Sequence, residues 1–277
     1  MLIFTLSSIP PRFGNIGPTL DSMLAQTAKA DRIILYIPET YRRFPDWDGR
    51  LPKVPEGVEI HRVPEDLGPA TKILPAIRAF QGTDTNILFG DDDRAYPPEW
   101  AEQFLTAQAE HPGCVIAKRG LMADRGVKGS AERELQPRAE TREPQHDWEF
   151  KLKFLWMRIK AGRNWRDVRP PERRLFRRSG YIDIFEGCGG VLVRPEFFDE
   201  QVFDIPPEAW SVDDIWLSAC LGRRGVPIWL VAHLFSPPNT DAQAQAPLAE
   251  AMIDGLKRSK ANQAAVRYAK DNFGIWA

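Results

Sequence analysis

The sequence predicts an α/β fold, a mostly parallel central sheet flanked by helices and carrying one basic insertion. Three observations predict it. Short apolar, β-prone runs recur along the N-terminal part with helix-patterned segments between them, the arrangement that builds βα units. Hydrophobic residues make up 43% and charged residues 27% of the 277, a composition that sustains a packed core. Charge is segregated: 18 Lys+Arg stand against nine Asp+Glu from Lys118 to Arg178, so this stretch carries +9 in a chain of net charge -1.

In order, residues 2–6 (Leu-Ile-Phe-Thr-Leu) make a first strand, bounded by a Ser/Pro loop. Leu20, Met23 and Leu24 recur at helical spacing over 19–26. Further strands are expected at 33–37, 58–63, 86–90 and 114–117, and a helix opens at Pro97-Pro98-Glu99-Trp100. Beyond the insertion, sheet character returns at 181–185 and 191–193. A helix runs from Ser211 to Gly222, and a last strand covers 227–231. A Pro/Asn/Gln-rich linker over 236–247 leads to a C-terminal helix over 248–272. One domain is expected over 1–277, with 118–180 as the insertion, 247–277 as the C-terminal helical segment, and no internal repeat.

The near-zero net charge argues against nucleic-acid binding by bulk charge. Cys114, Cys188 and Cys220 are too few and too scattered for a disulfide framework or a zinc ribbon and read as reduced thiols. No apolar run approaches the roughly 20 residues that span a bilayer, and residues 1–6 are too short for a signal core. The expectation is a cytoplasmic protein, with peripheral contact at the inner face of a membrane left open. There is no G-x-G-x-x-G, P-loop or nucleophile elbow, which removes the main signals of dinucleotide oxidoreductases, P-loop kinases and serine hydrolases.

Asp91-Asp92-Asp93 follows the apolar strand 86–90, at the sheet edge where open α/β folds bind ligands. Adjacent carboxylates repel unless solvent or a cation offsets them. Extended backbone would turn Asp91 and Asp93 to one face, where they could share one Mg2+ or Mn2+. A polar turn is the bland alternative. Lys72 stands at the start of a helical pattern, where the dipole disfavours a cation. A bound phosphate would offset that conflict, and a solvent-exposed ammonium is the other reading. Ser211-Val212-Asp213-Asp214 reads as a helix cap with an acid at N3, or as a carboxylate presented as general base. His233, just past the last strand, is either a third metal ligand or a structural donor. On the insertion, Trp148, Leu152, Leu155, Trp156 and Ile159 share one helical face beside Lys151, Lys153, Arg158 and Lys160. That face suits an anionic glycan, a lipid-diphosphate acceptor, a bilayer surface or simple core packing.

Taken in order, several stations resemble the GT-A (Rossmann-like) nucleotide-sugar glycosyltransferases, especially the bacterial family-2-like group. They are Ser7-Ser8-Ile9-Pro10-Pro11-Arg12, Gly68-Pro69-Ala70-Thr71-Lys72, the D-x-D within Asp91-Asp92-Asp93, Gly187-Cys188-Gly189-Gly190, and Val212-Asp213-Asp214-Ile215-Trp216-Leu217. The match covers about residues 1–118 and 181–235; the insertion has no counterpart in it. The resemblance implies transfer of a sugar from a nucleoside-diphosphate sugar to a glycan or lipid-linked hydroxyl, with inversion. It implies Mn2+ or Mg2+ on Asp91 and Asp93, with His233 where some relatives complete the metal shell. Pro10, Arg12, Lys72, Asp92, Gly189 and Gly190 would bind the donor. Asp214, or failing that Asp213, would be the base. A non-catalytic nucleotide-sugar or glycan-binding module and a metal-dependent nucleotidyltransferase are the rival readings.

Overall fold

The computed structural model describes residues 1–123, 135–142, 147–168, 175–234, 237–248 and 258–276. Its centre is an eight-stranded sheet in the order β3-β2-β1-β4-β9-β5-β10-β8. The strands are β1 (Leu2–Ser7), β2 (Arg32–Pro38), β3 (Val58–Val63), β4 (Asn86–Phe89), β5 (Val115–Leu121), β8 (Gly180–Ile182), β9 (Ile184–Val193) and β10 (Ile228–Leu230). Parallel pairing joins β3, β2, β1 and β4, and also β5 and β10. Strand β9 runs antiparallel between β4 and β5, and β8 is antiparallel to β10. Six of the eight strands therefore point one way, and the α/β expectation holds.

Period-two alternation in strands buried on both faces explains the core. Ile3, Ile34, Ile87, Val115 and Val191 point to one face, under α2 (Leu74–Ala79), α5 (Asp213–Arg223) and α6 (Arg258–Phe273). Phe4, Leu35, Leu88, Ile116 and Leu192 point to the other, under α1 (Gly17–Leu24) and α3 (Trp100–Glu110). The result is three layers with a core on each side of the sheet.

The Gly-rich segment continues the sheet. Residues 186–190 do not interrupt the sheet; they lie inside the ten-residue β9. Only Val191–Val193 pairs with β4, so the first part of β9 overhangs the C-terminal end of β4. There it pairs with an extended β5 through Arg119↔Glu186, Gly120↔Phe185 and Leu121↔Ile184. A register shift between Ala117 and Arg119 bends this overhang, as a bulge does. The overhang walls the region beyond β4.

The insertion is partly built. A small ribbon of β6 (Glu140–Thr141) and β7 (Phe176–Arg178) leads to α4 (Trp148–Ala161). Asp147 caps α4 by accepting from the Phe150 amide at 3.2 Å, and Gly162 ends it at φ +57°. The C-terminal helix is α6, and residues 249–257 of the expected helix lie outside the described residues, as do Arg173 and Arg174.

Candidate active site

Three parallel strands end at one cleft. Ser7 and Ser8 after β1, Pro38 and Tyr41 at and after β2, and Asp91 to Arg94 after β4 line a cavity of about 350 Å³. This is the carboxyl edge of the sheet, where open α/β folds bind ligands. Lys72, Asp213 and Asp214 close it from the side of α5, with Arg43, Trp210 and Arg258 at its margins.

The acidic run leaves β4 through Gly90, which has to be glycine: a Cβ there would sit 2.0 Å from the Tyr96 hydroxyl oxygen. That hydroxyl donates to the Asp91 carbonyl at 2.9 Å. Asp92 and Asp93 then lie in a turn, so strand alternation does not set their directions. Asp92 points inward. It accepts from Ser8 Oγ and from Arg12 Nη1, the latter at 2.5 Å, and burial pushes it up to about 6 against these donors. Asp92 thus ties the β1 loop to the β4 loop.

Asp91 and Asp93 are placed for a different task. Asp91 Oδ1 accepts from Lys72 Nζ at 2.9 Å. Burial opposes its ionisation, but Lys72, Arg94 and Arg12 bring it below the ordinary carboxylate value. Asp93 is raised by burial and by Asp91, while Arg12 lies 3.2 Å from Oδ2 and Arg94 Nε 3.4 Å from Oδ1. Asp93 Oδ1 is buried without a hydrogen-bond partner. A buried carboxylate oxygen that accepts no hydrogen bond, beside a second carboxylate, fits a hard divalent cation completed by substrate phosphates, the usual way Mg2+ is held. Among the described residues no set of three His, Cys, Asp or Glu side chains forms a ligand cage.

His233 does not join them. It is exposed and lines a separate cavity with Arg142, Phe176, Arg177 and Ser179. The reason is strand order: β10 lies three strands from β4, roughly 14 Å at about 4.8 Å per strand. The chain after β10 reaches the acidic loop by backbone instead, with Thr240 N donating to the Asp93 carbonyl at 2.8 Å.

Lys72 is neither exposed nor waiting for phosphate alone. It is buried at the end of a 3-10 turn, Gly68–Lys72, and its ammonium bridges Asp91 and Asp213, the second at 3.0 Å. Burial opposes its charge, but Asp213, Asp91 and Asp214 hold its pKa well above the ordinary lysine value.

The acidic pair on α5 lines the cleft. Ser211 does not cap the helix: Val212 is the N-cap, with no side-chain hydrogen bond, and Asp213 and Asp214 are the first two helical residues. Asp213 is buried against Lys72. Asp214 is half-buried, and its Oδ1 accepts from the Gly187 amide at 3.1 Å. Burial, followed by the charge of Asp213, pushes the Asp214 carboxyl up to about 8.

Gly187 is the glycine that faces the site: a Cβ there would lie 2.9 Å from Lys72 Nζ and 3.1 Å from Asp214 Oδ1. Gly189 and Gly190 do not line the cleft and have another reason. The Gly189 carbonyl accepts from Trp100 Nε1 at 3.1 Å, and a Cβ on it would meet the Lys118 side chain at 2.7 Å. Gly190, at φ +98°, lets the Trp100 ring approach to 2.6 Å of where a Cβ would be. They serve core packing. Gly190→Ala should therefore cost about 1–3 kcal/mol in urea denaturation; an unchanged midpoint would mean that the Trp100 contact does not require this glycine.

Pro10 opens the 3-10 turn Pro10–Arg12 and lies outside the cleft lining, whereas Arg12 lies within it, pinned by Asp92, Asp93 and the Gln245 carbonyl. Sequence reasoning missed Tyr41, Arg43, Trp210 and Arg258. Tyr41 donates to the Ser8 carbonyl at 2.7 Å. Arg43 is lowered by burial and by the neighbouring Arg12 guanidinium, which outweigh the Asp66 carboxylate. No local signal marks these positions: Tyr41 and Arg43 follow β2, Trp210 precedes α5 and Arg258 opens α6, and only the tertiary fold brings them to one cleft.

No family model and no curated protein matches the chain. Among solved structures it is similar to residues 1–349 of TarS from S. aureus. The identity is 14%, the alignment covers 99% of this chain and 71% of that one, and the TM-score is 0.43. That score carries no argument about activity or about residues.

Proposed function

We propose that the protein is a metal-dependent glycosyltransferase that moves a sugar from a nucleoside-diphosphate sugar to a hydroxyl of a glycan or lipid-linked acceptor, with inversion. The observation that carries the reading is that one cleft holds two neighbouring carboxylates, Asp91 and Asp93, and a separate half-buried carboxyl, Asp214, raised to about 8. Asp91 and Asp93 would hold Mn2+ or Mg2+. Bound there, the ion supplies charge neutralisation for the departing diphosphate. Arg43 and Arg258 offer cationic partners to the diphosphate from the cleft margin, and Lys72 keeps Asp91 ionised while pairing with Asp213.

Asp214 takes the proton of the acceptor hydroxyl as the acceptor oxygen bonds to the anomeric carbon. The bond from that carbon to the phosphate oxygen breaks, and the nucleoside diphosphate leaves. Gly187 N, donating to Asp214 Oδ1, holds the carboxylate in place and leaves Oδ2 for the proton. A base near 8 is well matched to proton removal close to neutral pH. The three free thiols suit a reducing compartment, and we assign the reaction to the cytoplasm. Among the described residues no helix is long and apolar enough to cross a membrane.

Incubation with a panel of nucleotide sugars and Mn2+ tests the reading through release of nucleoside diphosphate. Binding without turnover favours the non-catalytic module, and pyrophosphate release favours nucleotidyl transfer. In thermal shift, UDP or GDP should stabilise the protein only with Mn2+ or Mg2+, because diphosphate and carboxylates repel without the ion. At roughly 100 times the dissociation constant, the gain is about 2.7 kcal/mol. Asp91→Ala and Asp93→Ala should each abolish this metal dependence; nucleotide stabilisation unchanged in both, or equal with chelator, would remove the metal from the proposal.

A further inference from the structure

We infer that α4 is an in-plane anchor for an anionic lipid bilayer. The helix buries none of its residues. Trp148, Leu152, Leu155, Trp156 and Ile159 fall on one face and are each 55–69% exposed, a stripe of large apolar side chains turned to solvent. Phe150, Phe154 and Met157 occupy the opposite face and are half-buried, so the tryptophan stripe is the more exposed side of the helix.

The charges flank this stripe on both sides. At 100° per residue, Lys151 and Arg158 follow one edge, and Lys153 and Lys160 the other. Lys151 Nζ stands 4.7 Å over the Trp148 ring and Lys160 Nζ 4.9 Å over the Trp156 ring. The one acid on the helix, Glu149, is paired with Arg142 at 3.0 Å. Tryptophan at the centre with lysine and arginine on both flanks is the pattern of a helix lying in the headgroup region, its cations at phosphate level and its apolar face among the acyl chains. The +9 of residues 118–178, in a chain otherwise at -10, steers this face toward a negative surface.

A second copy of the same helix fits less well. Two such stripes packed face to face would bring the basic rows of both copies along the same seam, like against like. An apolar protein partner would not need the double cationic border.

The test is co-sedimentation with phosphatidylcholine vesicles that contain about one-third phosphatidylglycerol, and it uses neither donor nor transfer. Wild-type protein should pellet at low salt, release as salt rises, and pellet poorly with pure phosphatidylcholine. Replacing Trp148, Leu152, Trp156 and Ile159 together by Ser should lower the bound fraction at least tenfold, with the thermal midpoint unchanged. Lys151→Glu, Lys153→Glu and Lys160→Glu together should do the same for the anionic vesicles. In the wild type itself, brominated lipid should quench tryptophan emission, and Trp156→Phe should remove part of that quenching. The inference is overturned if wild-type protein stays in the supernatant at low salt or if the serine variant binds as well as wild type. It is equally overturned if the stripe proves to be buried in a concentration-dependent dimer that the serine variant abolishes.

Discussion

Asp214→Asn should fold, bind nucleotide with metal as the wild type does, and transfer sugar roughly 100- to 10,000-fold more slowly, the usual loss when a general base is removed. The amide oxygen still accepts from the Gly187 amide, so the local geometry survives, but it takes no proton. Burial holds the Asp214 carboxyl at about 8 instead of 3.8, so folding favours its protonated form. Its contribution to stability is whole below pH 4 and is lost as pH rises through about 8. Asparagine does not ionise and escapes that loss. The thermal midpoint of Asp214→Asn should accordingly gain on the wild type between pH 5 and 9, while wild-type turnover climbs toward pH 8. A variant that is both inactive and relatively more stable in base separates a catalytic carboxylate from a structural one. Asp213→Asn, measured beside it, should mainly lower stability through Lys72. Activity lost in Asp213→Asn and kept in Asp214→Asn would exchange the two roles.

Lys72→Met should destabilise the fold by about 3–5 kcal/mol, because removing one partner of a buried ion cluster strands the others. Asp91 and Asp213 lose the ammonium that lies 2.9 and 3.0 Å away. The pH dependence has two limbs. Asp91 is held below 3.8, so its share of the stabilisation is present above that value and fades as pH falls through it. Lys72 is held above 10.5, so its share is present below that value and fades only in strong base. Urea denaturation of the two proteins should therefore differ most between about pH 5 and 10 and converge in acid. A difference that stays the same down into acid, below about pH 3, would mean that lost packing, rather than lost charge, explains the variant.

Strands β1 to β4, the helix after Pro98 and the amphipathic α4 were legible because each is written in local periodicity. Apolar residues at spacings of two or of three to four can bury one face only in the matching element. Asp91, Asp93 and Lys72 were legible as candidates because adjacent carboxylates at a strand end and a cation at a helix start are costly without a partner; Asp213 and Asp214 suit a helix start and stood out only through the family resemblance. The partners themselves were not legible. Lys72 and Asp213 are 141 positions apart in the chain, as the two numbers show, and no pattern around either names the other.

The glycines mark the boundary. Gly187, Gly189 and Gly190 read as one motif, yet the antiparallel insertion of β9 between β4 and β5 gives them separate surroundings. Gly187 faces Lys72 and Asp214, while Gly189 and Gly190 meet Lys118 and Trp100. His233 shows the same thing from the other side: its place just past a strand was read correctly, but strand order carried it away from the acids. By itself the sequence determined the α/β class, the main elements and which residues were too charged to be left alone. Local backbone and burial preferences suffice for that. Only the tertiary structure decided which carboxylate meets which cation, that Val212 rather than Ser211 stands at the N-cap of α5, and that the tryptophan face of α4 is exposed among the described residues. Those outcomes depend on strand order and register, which bring together residues more than a hundred positions apart.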